Sequence, residues 1–337
     1  MRRAYNINGK TGKALNGTLL YRYLLTALAV SLTVLAAQTL HRFAAPPQRP
    51  AERSTAVPVE LPAPQDDAAS ISVRTRRPSC YTVLVSGLDD AGGGCDTNLL
   101  VRLDVPGKSI DVVSLPRDTL LHTRRHSNKL NFAYASGGME RLRGDIENLL
   151  GIPVDYALTV NLTAFVTLVD SIGGVDFDVP ADMDYDDDAQ NLHIHFLQGP
   201  QHLNGQQAME VVRWRKNNAG GGYADADIGR IRTQQAFLGV VARQALRVRN
   251  TPALAQLLFQ HVKTDLTAGN LAWLALEAAK IGTEGLAFHT LPGDGAGLYL
   301  GESVYVLDPE GTLTLVNEAL NPYNQPLRAE ELDILVP

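Results

Sequence analysis

The stretch YTVLVSGLDDAGGGCDTNLLVRLDVPGKSIDVVSLP, residues 81–116, decides the fold of this chain. It contains three short apolar runs, YTVLVSGL, NLLVRLDV and SIDVVSLP, which begin at Tyr81, Asn98 and Ser109. Glycines separate the first two runs, and a Pro-Gly-Lys turn at 106–108 separates the second from the third. Short apolar runs bounded by turn residues are typical of buried strands. We therefore predict that the folded region opens with three β-strands.

Helical and extended patterns alternate through the rest of the chain. Apolar residues recur at helical spacing in the segments 138–150, 164–172, 206–214, 230–249, 254–262 and 271–281. Strand patterns occupy 156–160, 175–180, 286–291 and 303–307. Because strands and helices are interspersed, we predict one α/β domain from residue 78 to 337. Its expected architecture is a three-layer α/β/α fold around a central mixed sheet.

The first 77 residues predict an anchor and a linker. Five Lys and Arg side chains precede the apolar run LLTALAVSLTVLAA, which favours an orientation with the N-terminus inside. A helix over 19–40 would be about 33 Å long at about 1.5 Å per residue, enough to span a bilayer. We predict a cytoplasmic tail at 1–18, one transmembrane signal anchor at 19–40 and a Pro-rich linker at 41–77. A cleaved signal peptide is the alternative, and both place the domain outside the cytoplasm.

Charge and cysteine content exclude some functions. The net charge of −6 gives no overall attraction to nucleic acid, so we expect no nucleic-acid partner, and anion binding needs a local cluster of cations. Two cysteines, Cys80 and Cys95, support neither a disulfide framework nor a four-thiolate zinc site. One disulfide between them stays open as an alternative.

The first candidate site group is a pair of aspartates around a glycine-rich loop. Asp89 and Asp96 flank this loop, which connects the end of one predicted strand to the next. Ligands of α/β folds bind at strand ends, and consecutive glycines allow close approach of the backbone. Two carboxylates there would suit Mg²⁺, which takes one or two protein oxygens and completes its shell with water and phosphate. A solvated surface turn is the alternative.

The second and third groups carry cations. Arg117 and Asp118 leave the third strand in SLPRDT, where an arginine fork can meet phosphate oxygens. Residues 211–235 read VVRWRKNNAGGGYADADIGRIRTQQ. Arg213 and Arg215 share a face only in extended chain, so we expect the preceding helix to fray before them. Ordinary surface ion pairs and solvated cations are the alternatives.

These motifs, taken in order, resemble the LytR-CpsA-Psr family. The resemblance runs from about residue 80 to 249 through SGLD, SLPRDT, KLNFAYASGG, VVRWRK and DIGRIRTQQ, and LPGDG followed by VYVLDPE resembles the family's end. It implies an enzyme in the cytoplasmic membrane whose extracytoplasmic α/β/α domain binds a polyprenyl pyrophosphate-linked glycan with Mg²⁺, or Mn²⁺ as the alternative. It further implies transfer of a phosphoglycan, teichoic-acid-like or capsular, to a peptidoglycan acceptor beside membrane lipid.

The resemblance also implies residue roles. Asp89 and Asp96 match metal-binding aspartates, and Asp118 would orient Arg117 or assist proton removal. The residues that match the family's pyrophosphate-binding positions are Arg117, Arg213, Arg215, Arg230 and Gln234. Two positions depart from the family's pattern, because Gly94-Cys95 stands where Arg-Ser is frequent, and Thr233 stands where Arg is frequent. These departures bear on affinity and substrate preference.

Three other signals carry less weight. His193 and His195 share a strand face without an evident third metal ligand, so we expect exposed structural histidines. The acidic run at 182–188 predicts a solvated loop, since it lacks the glycine and terminal glutamate of a calcium-binding EF-hand loop. The apolar segment 158–169 could line a groove for a polyprenyl chain, although such a stripe is more often core.

Two other functions stay open at the level of sequence. A noncatalytic envelope regulator or scaffold that holds a polyprenyl-linked glycan would use the same cations as an enzyme. A hydrolase that releases polyprenyl phosphate would differ only in using water instead of a sugar hydroxyl. Turnover separates an enzyme from a binder, and added peptidoglycan separates a transferase from a hydrolase.

Overall fold

The three strands predicted from residues 81–116 are present and form an antiparallel meander. A computed structural model describes residues 44–49, 74–88, 94–123, 127–190, 192–223, 227–247, 254 and 259–337. In it, β1 (Cys80–Leu88) pairs with β2 (Cys95–Asp104), and β2 pairs with β3 (Ser109–Leu115). This pairing confirms the prediction of three strands. Successive side chains of a strand point to opposite faces of the sheet, so these apolar runs can be buried on both faces.

The meander is the centre of a six-stranded mixed sheet. Its strand order is β10 (Leu286–Thr290), β3, β2, β1, β4 (Tyr156–Val160) and β9 (Val262–Thr264). Two of the added strands, β4 and β10, run parallel to β1 and β3 respectively. The edge strand β9 is antiparallel to β4. Val262, predicted as the end of a helix over 254–262, is therefore the first residue of a strand.

Helices cover both faces of this sheet, which confirms the α/β class. On one face, α1 (Leu130–Leu150) packs its buried side chains against Leu84 and Leu100. On the other face, Val83 packs with residues of two later helices, α4 (Asp227–Arg247) and α5 (Ala268–Ile281). Val83 and Leu84 are adjacent in β1, so the strand's twofold periodicity supplies both layers.

The helix α1 begins earlier than predicted. The sequence predicted it over 138–150, and its C-terminus is confirmed at Gly151, which has a φ of 65° and donates its N–H to the carbonyl of Glu147. The segment before 138 is also helical, but Gly138 has a φ of 66° and the helix kinks there. This break interrupts the helical spacing in the sequence, which is why the first turns were missed.

A second hydrophobic core lies beside the sheet, built from short paired strands, two short helices, and Phe237 and Val241 of α4. β5 (Val175–Val179) pairs with β8 (Gly199–Leu203), and β6 (Met183–Asp187) pairs with β7 (Leu192–Phe196). The two helices are α2 (Leu162–Ser171) and α3 (Gly205–Arg213). Val169 and Phe165 of α2 pack into this core, so much of the segment 158–169 that could have lined a groove is core.

The acidic run at 182–188 is not a loop. Most of it forms β6, because Met183 is buried in the second core and the acidic residues on either side of it point outward. The loop prediction was wrong because it weighed the charge and ignored the alternation that Met183 and Tyr185 give to the run. The remaining strands and α-helix of the described residues are the hairpin of β11 (Gly293–Tyr299) with β12 (Glu302–Leu307), and the helix α6 (Pro309–Leu315).

The alternative of a Cys80–Cys95 disulfide is excluded. Both side chains are buried, and they are not bonded to each other. Cys80 lies opposite Asp104, whereas Cys95 lies opposite Leu88 at the other end of β1. At about 3.3 Å per residue the two ends are roughly 26 Å apart, while a disulfide needs Cα atoms within about 7 Å. Burial raises the pKa of the Cys80 thiol, which makes it a poor nucleophile.

Of the helices in the described part of the chain, none combines the length and apolar character that crossing a membrane requires. The predicted anchor at 19–40 lies outside the described residues. Part of the predicted linker is described and contacts the domain: Pro47 is buried, the Tyr156 hydroxyl donates to the carbonyl of Gln48, and Asn270 donates to the carbonyl of Ala45 at 3.0 Å.

Residues 74–77 and 321–331 form a terminal clamp in which the start of the domain is bonded to its end. Arg77 donates its backbone N–H to the carbonyl of Pro322 at 2.9 Å and a guanidinium N–H to the carbonyl of Asn321 at 2.6 Å. Arg74 pairs with Glu331. Contacts of the domain therefore begin before residue 78, where its boundary was predicted.

We expect the buried carboxylate of Asp155 to be essential to stability. It is 4% exposed and accepts from Arg76 at 2.7 Å and from the backbone N–H of Thr82 at 2.9 Å. Asp155→Ala would leave both donors unpaired, with an expected loss of about 3–5 kcal/mol. Urea unfolding measures it. Lys280→Ala, which removes an exposed i,i+3 pair with Glu277, should change stability by at most about 0.5 kcal/mol. Equal midpoints for the two variants would contradict this.

Candidate anion-binding site

The turn that carries Arg117 and Asp118 is held by backbone bonds from two sides. It follows β3 directly, and Asn131 at the start of α1 donates its N–H to the carbonyl of Arg117 at 2.8 Å. Tyr305 of β12 donates to the carbonyl of Asp118 at 2.8 Å. With both neighbouring elements bonded to it, this turn presents its side chains from a fixed backbone.

The side chains of the first and second candidate groups meet here. A guanidinium nitrogen of Arg117, Nη1, lies 2.8 Å from Oδ1 of Asp96, and Nε lies 3.4 Å from Oδ2 of Asp118. Lys129 approaches the other oxygen of Asp118, with Nζ and Oδ1 3.5 Å apart. The structure thus joins Asp96, which was predicted with the glycine-rich loop, to Arg117 and Asp118. Lys129 was missed as a site residue, although it begins the motif KLNFAYASGG.

A buried polar pair supports the start of β2. The Ser86 hydroxyl donates to Oδ1 of Asn98 at 2.9 Å, and the Asn98 amide lies 3.4 Å from the carbonyl of Cys95. Both side chains are at most 1% exposed. Because a buried amide must keep its partners, this pair fixes the backbone on either side of Asp96. No sequence pattern indicates this pair, since serine and asparagine also suit an exposed turn.

The third group begins at the end of α3. Arg213 is the last helical residue, and the chain becomes extended at Trp214, whose ψ is 137°. The expectation that the helix would fray before Arg213 was wrong, because the helix includes it. Trp214 is 1% exposed, Arg213 is half-buried and Arg215 is exposed. Gln234 of α4 donates to the carbonyl of Val212 at 3.2 Å and so ties α4 to this end of α3.

The helix α4 brings this group to the edge of the sheet where Arg117 lies. Its Gln235 donates to the Thr290 hydroxyl at 2.7 Å, at the end of β10. The next residue, Leu291, donates its N–H to the carbonyl of Ser114, at the end of β3, at 3.1 Å. The carboxyl ends of β3 and β10 therefore share one edge, beside the N-terminal half of α4, and ligands of α/β sheets bind at such edges.

Some predicted residues are not placed. Asp89 lies outside the described residues, and Arg230 is part of α4 without a described side chain. Thr233 is 7% exposed whereas Arg232 is exposed. Consecutive residues of a helix point about 100° apart, so Arg232 does not take the place of an arginine at 233.

The chemistry of the site fits a hard cation. Asp96 presents a carboxylate that is 46% exposed beside Arg117, and Mg²⁺ needs only one or two such groups when phosphate and water supply the rest. No cluster of three or more His, Cys, Asp or Glu side chains able to hold a metal occurs among the residues that the structure describes.

The histidines of β7 are exposed and paired with aspartates. Nδ1 of His195 lies 2.8 Å from Asp184, and Nδ1 of His193 lies 2.6 Å from Asp186. Both rings face the acidic residues of β6 across the β6–β7 pair. This agrees with the expected structural role.

A mixed sheet covered by helices, with Arg117, Asp118 and Asp96 in contact beside the carboxyl end of β3, defines the class as α/β proteins with a charged site at a strand end. Within this class the chain belongs to the LytR_cpsA_psr family, whose sequence model matches residues 53–320. The family resemblance inferred from the motifs is confirmed.

Individual relatives agree with this assignment. The chain is 30% identical to the polyisoprenyl-teichoic acid–peptidoglycan teichoic acid transferase TagV of Bacillus subtilis over 69% of this chain and 61% of that protein. It is 31% identical to the corresponding transferase TagU of Bacillus anthracis over 59% of this chain and 65% of that protein. The chain thus spans somewhat less than two thirds of the length of these relatives.

A solved structure confirms the fold. The crystal structure of Bacillus subtilis TagV superposes with a TM-score of 0.61 at 24% identity, over 76% of this chain and 98% of that one.

We expect the pKa of His195 to lie above its ordinary value, chiefly because of its hydrogen bond to Asp184. The pKa of Asp186 is lowered, chiefly by its hydrogen bond to His193. Because the pKa of His195 is raised in the folded state, its protonation stabilises the fold below about pH 6.5. This stabilisation is lost as the pH rises through the folded-state pKa. Because the pKa of Asp186 is lowered in the folded state, its ionisation stabilises the fold above about pH 4. This stabilisation is lost as the pH falls through the folded-state pKa. The β6–β7 pairing should therefore be strongest between these limits.

Proton NMR titration of the imidazole tests this expectation. Asp184→Asn should return the pKa of His195 toward its ordinary value, because the largest cause of the shift is removed. Asp178→Asn neutralises an exposed aspartate of β5 and should leave the titration of His195 unchanged. A His195 pKa at or below about 6.5 in the unaltered chain would contradict the assignment.

Proposed function

We propose that this protein is a phosphotransferase of the cell envelope that moves a phosphoglycan from a polyprenyl pyrophosphate carrier to peptidoglycan. The observation that carries the proposal is the contact of Arg117 with Asp96 and Asp118 at the carboxyl edge of the sheet, in a member of this family. The relatives TagV and TagU are named as transferases of polyisoprenyl-linked teichoic acid to peptidoglycan, which supports the same reaction class here.

Arg117, Arg213 and Arg215 would bind the pyrophosphate, together with Arg230 and Gln234. A hydroxyl oxygen of peptidoglycan attacks the glycan-linked phosphorus, and the bond from that phosphorus to the bridging oxygen breaks. Polyprenyl phosphate leaves with the bridging oxygen and its charge. Guanidinium groups fixed beside that oxygen stabilise the charge as it develops, which is the main contribution a protein makes to phosphoryl transfer.

Asp118 would orient Arg117. Of the two roles that the sequence left open, orientation is the one that the contacts favour. One oxygen of Asp118 is 3.4 Å from Arg117 and the other is 3.5 Å from Lys129, so both oxygens face cations of the protein. A general base needs an oxygen directed at the hydroxyl whose proton it removes. The proton of the attacking hydroxyl would then leave through a group other than Asp118.

Mg²⁺, or Mn²⁺, would be the cofactor, held by Asp96 and Asp89. When bound, it would neutralise oxygens of the pyrophosphate. Asp96 is suited to this because Arg117 engages one of its oxygens and almost half of the side chain is exposed. Asp96 would thus hold Arg117 through the oxygen that the guanidinium contacts and would offer its exposed part to the ion.

The carrier and the setting follow from the same proposal. A polyprenyl chain resides in membrane lipid, so the domain would work at the outer face of the cytoplasmic membrane with the N-terminal anchor inside it. Teichoic-acid-like and capsular glycans both present the same pyrophosphate to the arginines. Water in place of the peptidoglycan hydroxyl would give a pyrophosphatase side reaction.

Release of polyprenyl phosphate from a polyprenyl pyrophosphate glycan, measured with the full chain in detergent, tests this function. We expect Mg²⁺-dependent release that a chelator abolishes. Arg117→Ala and Asp96→Ala should each lower the rate by about 10²–10³-fold, the usual cost of one fixed donor to a developing charge. Arg117→Lys keeps the positive charge but loses the planar guanidinium fork, so its release rate should lie between that of the wild type and that of Arg117→Ala.

The control is Arg328→Ala, which removes an exposed arginine paired with Glu330 in the C-terminal segment and should keep the full rate. Tight binding without release, even with peptidoglycan present, would replace the proposal with a noncatalytic binding protein. Release that never labels added peptidoglycan would replace it with a hydrolase.

A further inference from the structure

Residues 214–218 follow α3 and lie along the open edge of β6. Within the described residues β6 pairs with β7 alone, so one edge of it has backbone groups that no strand satisfies. Asn218 fills part of that edge: its side-chain amide accepts from the N–H of Asp186 at 2.9 Å and donates to the carbonyl of Asp186 at 3.0 Å. Its own N–H donates to the carbonyl of Asp184 at 3.1 Å.

Asn217 fills the rest of the edge. Its side-chain oxygen accepts from the N–H of Asp184 at 2.8 Å, and its amide nitrogen lies 3.3 Å from the carbonyl of Asp182. The side-chain amide of asparagine carries one donor group and one acceptor group, like a peptide unit. Two such side chains therefore act as a substitute strand, which blunts the edge of β6 and ties residues 214–218 to it.

The same asparagine also fixes Trp214. Oδ1 of Asn217 accepts from the indole N–H of Trp214 at 3.0 Å. The indole is buried in the second core and meets the ring of Tyr223 edge-on, with centroids 4.7 Å apart. Trp214 stands between Arg213 and Arg215, so the direction in which the indole enters the core determines the directions of the two arginines.

The loop that follows is closed tightly. The backbone carbonyl of Asn217 accepts from the N–H of Gly220 at 3.1 Å, and its backbone N–H donates to the carbonyl of Gly221 at 3.0 Å. Gly220 and Gly221 have φ values of 94° and 90°, which residues with a Cβ rarely adopt. The run Ala-Gly-Gly-Gly thus permits a turn that keeps Asn217 in place.

We propose that Asn217 and Asn218 are positioning residues that hold Arg213 and Arg215 at the pyrophosphate site by fixing residues 214–218 on β6. This inference rests on the proposed function. Arg215 is two residues from Asn217, so their Cα atoms are at most about 7 Å apart. A displacement of the asparagine is therefore passed to the arginine, and displacements of about 1 Å can cost 10²-fold in rate.

The test combines three measurements on the full chain with Asn217→Ala, Asn218→Ala and the double variant. Titration with inorganic pyrophosphate gives the affinity of the anion site without turnover. Acrylamide quenching of Trp214 reports on residues 214–218; it is measured in a Trp273→Phe background, because the chain has two tryptophans. Release of polyprenyl phosphate gives kcat and KM.

We expect the affinity of the double variant for pyrophosphate to fall by about 10-fold or more, because the displaced arginines no longer make their charge-assisted hydrogen bonds to the anion. Its Trp214 should become more accessible to acrylamide, and KM should rise together with a fall in kcat. Gln206→Ala removes an exposed amide of α3 that bonds only Glu210 among the contacts described, and it should change none of the three. Asp155→Ala, studied below its unfolding temperature, separates positioning from general destabilisation and should keep the pyrophosphate affinity.

Unchanged pyrophosphate affinity in the double variant would overturn the inference, whether or not Trp214 becomes accessible. A wild-type chain that binds no pyrophosphate would overturn it as well, since there would be no anion site to organise. A wild-type chain that binds pyrophosphate but releases no polyprenyl phosphate would refute the proposed function alone, and the affinities of the variants would still decide the role of the asparagines.

Discussion

The hydrogen-bonded register between β2 and β3 is the constraint on which the site depends. Asn98 lies opposite Leu115 in this antiparallel pair. Asp96 is two residues before Asn98, and Arg117 is two residues after Leu115, so continuing the register sets Asp96 opposite Arg117. Their side chains form the 2.8 Å contact. A slip of one residue would turn every side chain of β2 to the other face of the sheet and would separate this pair.

This register explains what the sequence could and could not predict. The turn residues at 106–108 and the two flanking strands were recognised, and a tight turn fixes the register of a hairpin. Asp96 and Arg117 could therefore have been paired from the sequence, but they were assigned to separate groups. Lys129 was harder to find, because it reaches Asp118 only through the fold of the connection that leads into α1. Ser86 and Asn98 were harder still, since polar residues in a strand carry no sign of being buried.

The second core shows a different limit of prediction. Strands such as β6 and β7 are five residues long and alternate between apolar and charged side chains, so composition hides them. These segments become strands only when they pair with each other. Because an isolated pair of such short strands is barely stable, no single segment predicts the pairing. The terminal clamp was missed for a similar reason, because it joins residues about 250 positions apart. Burial works against the ionised form of Glu331, yet hydrogen bonds from Arg74 and from the backbone of Arg328 lower its pKa overall.

The two sources of cations are fixed by different kinds of contact, and the difference suits an anion site. Arg117 is held by the carboxylates of Asp96 and Asp118, which offset part of its charge until a ligand arrives. The segment with Arg213 and Arg215 is held by an indole and by neutral amides, which carry no charge themselves. Carboxylates at both places would cancel the attraction for the pyrophosphate that we propose as the ligand, whereas neutral groups at both places would leave Arg117 and Lys129 to repel each other. Fixing one cation with charge and the others with neutral hydrogen bonds keeps the site ordered and still attractive to an anion.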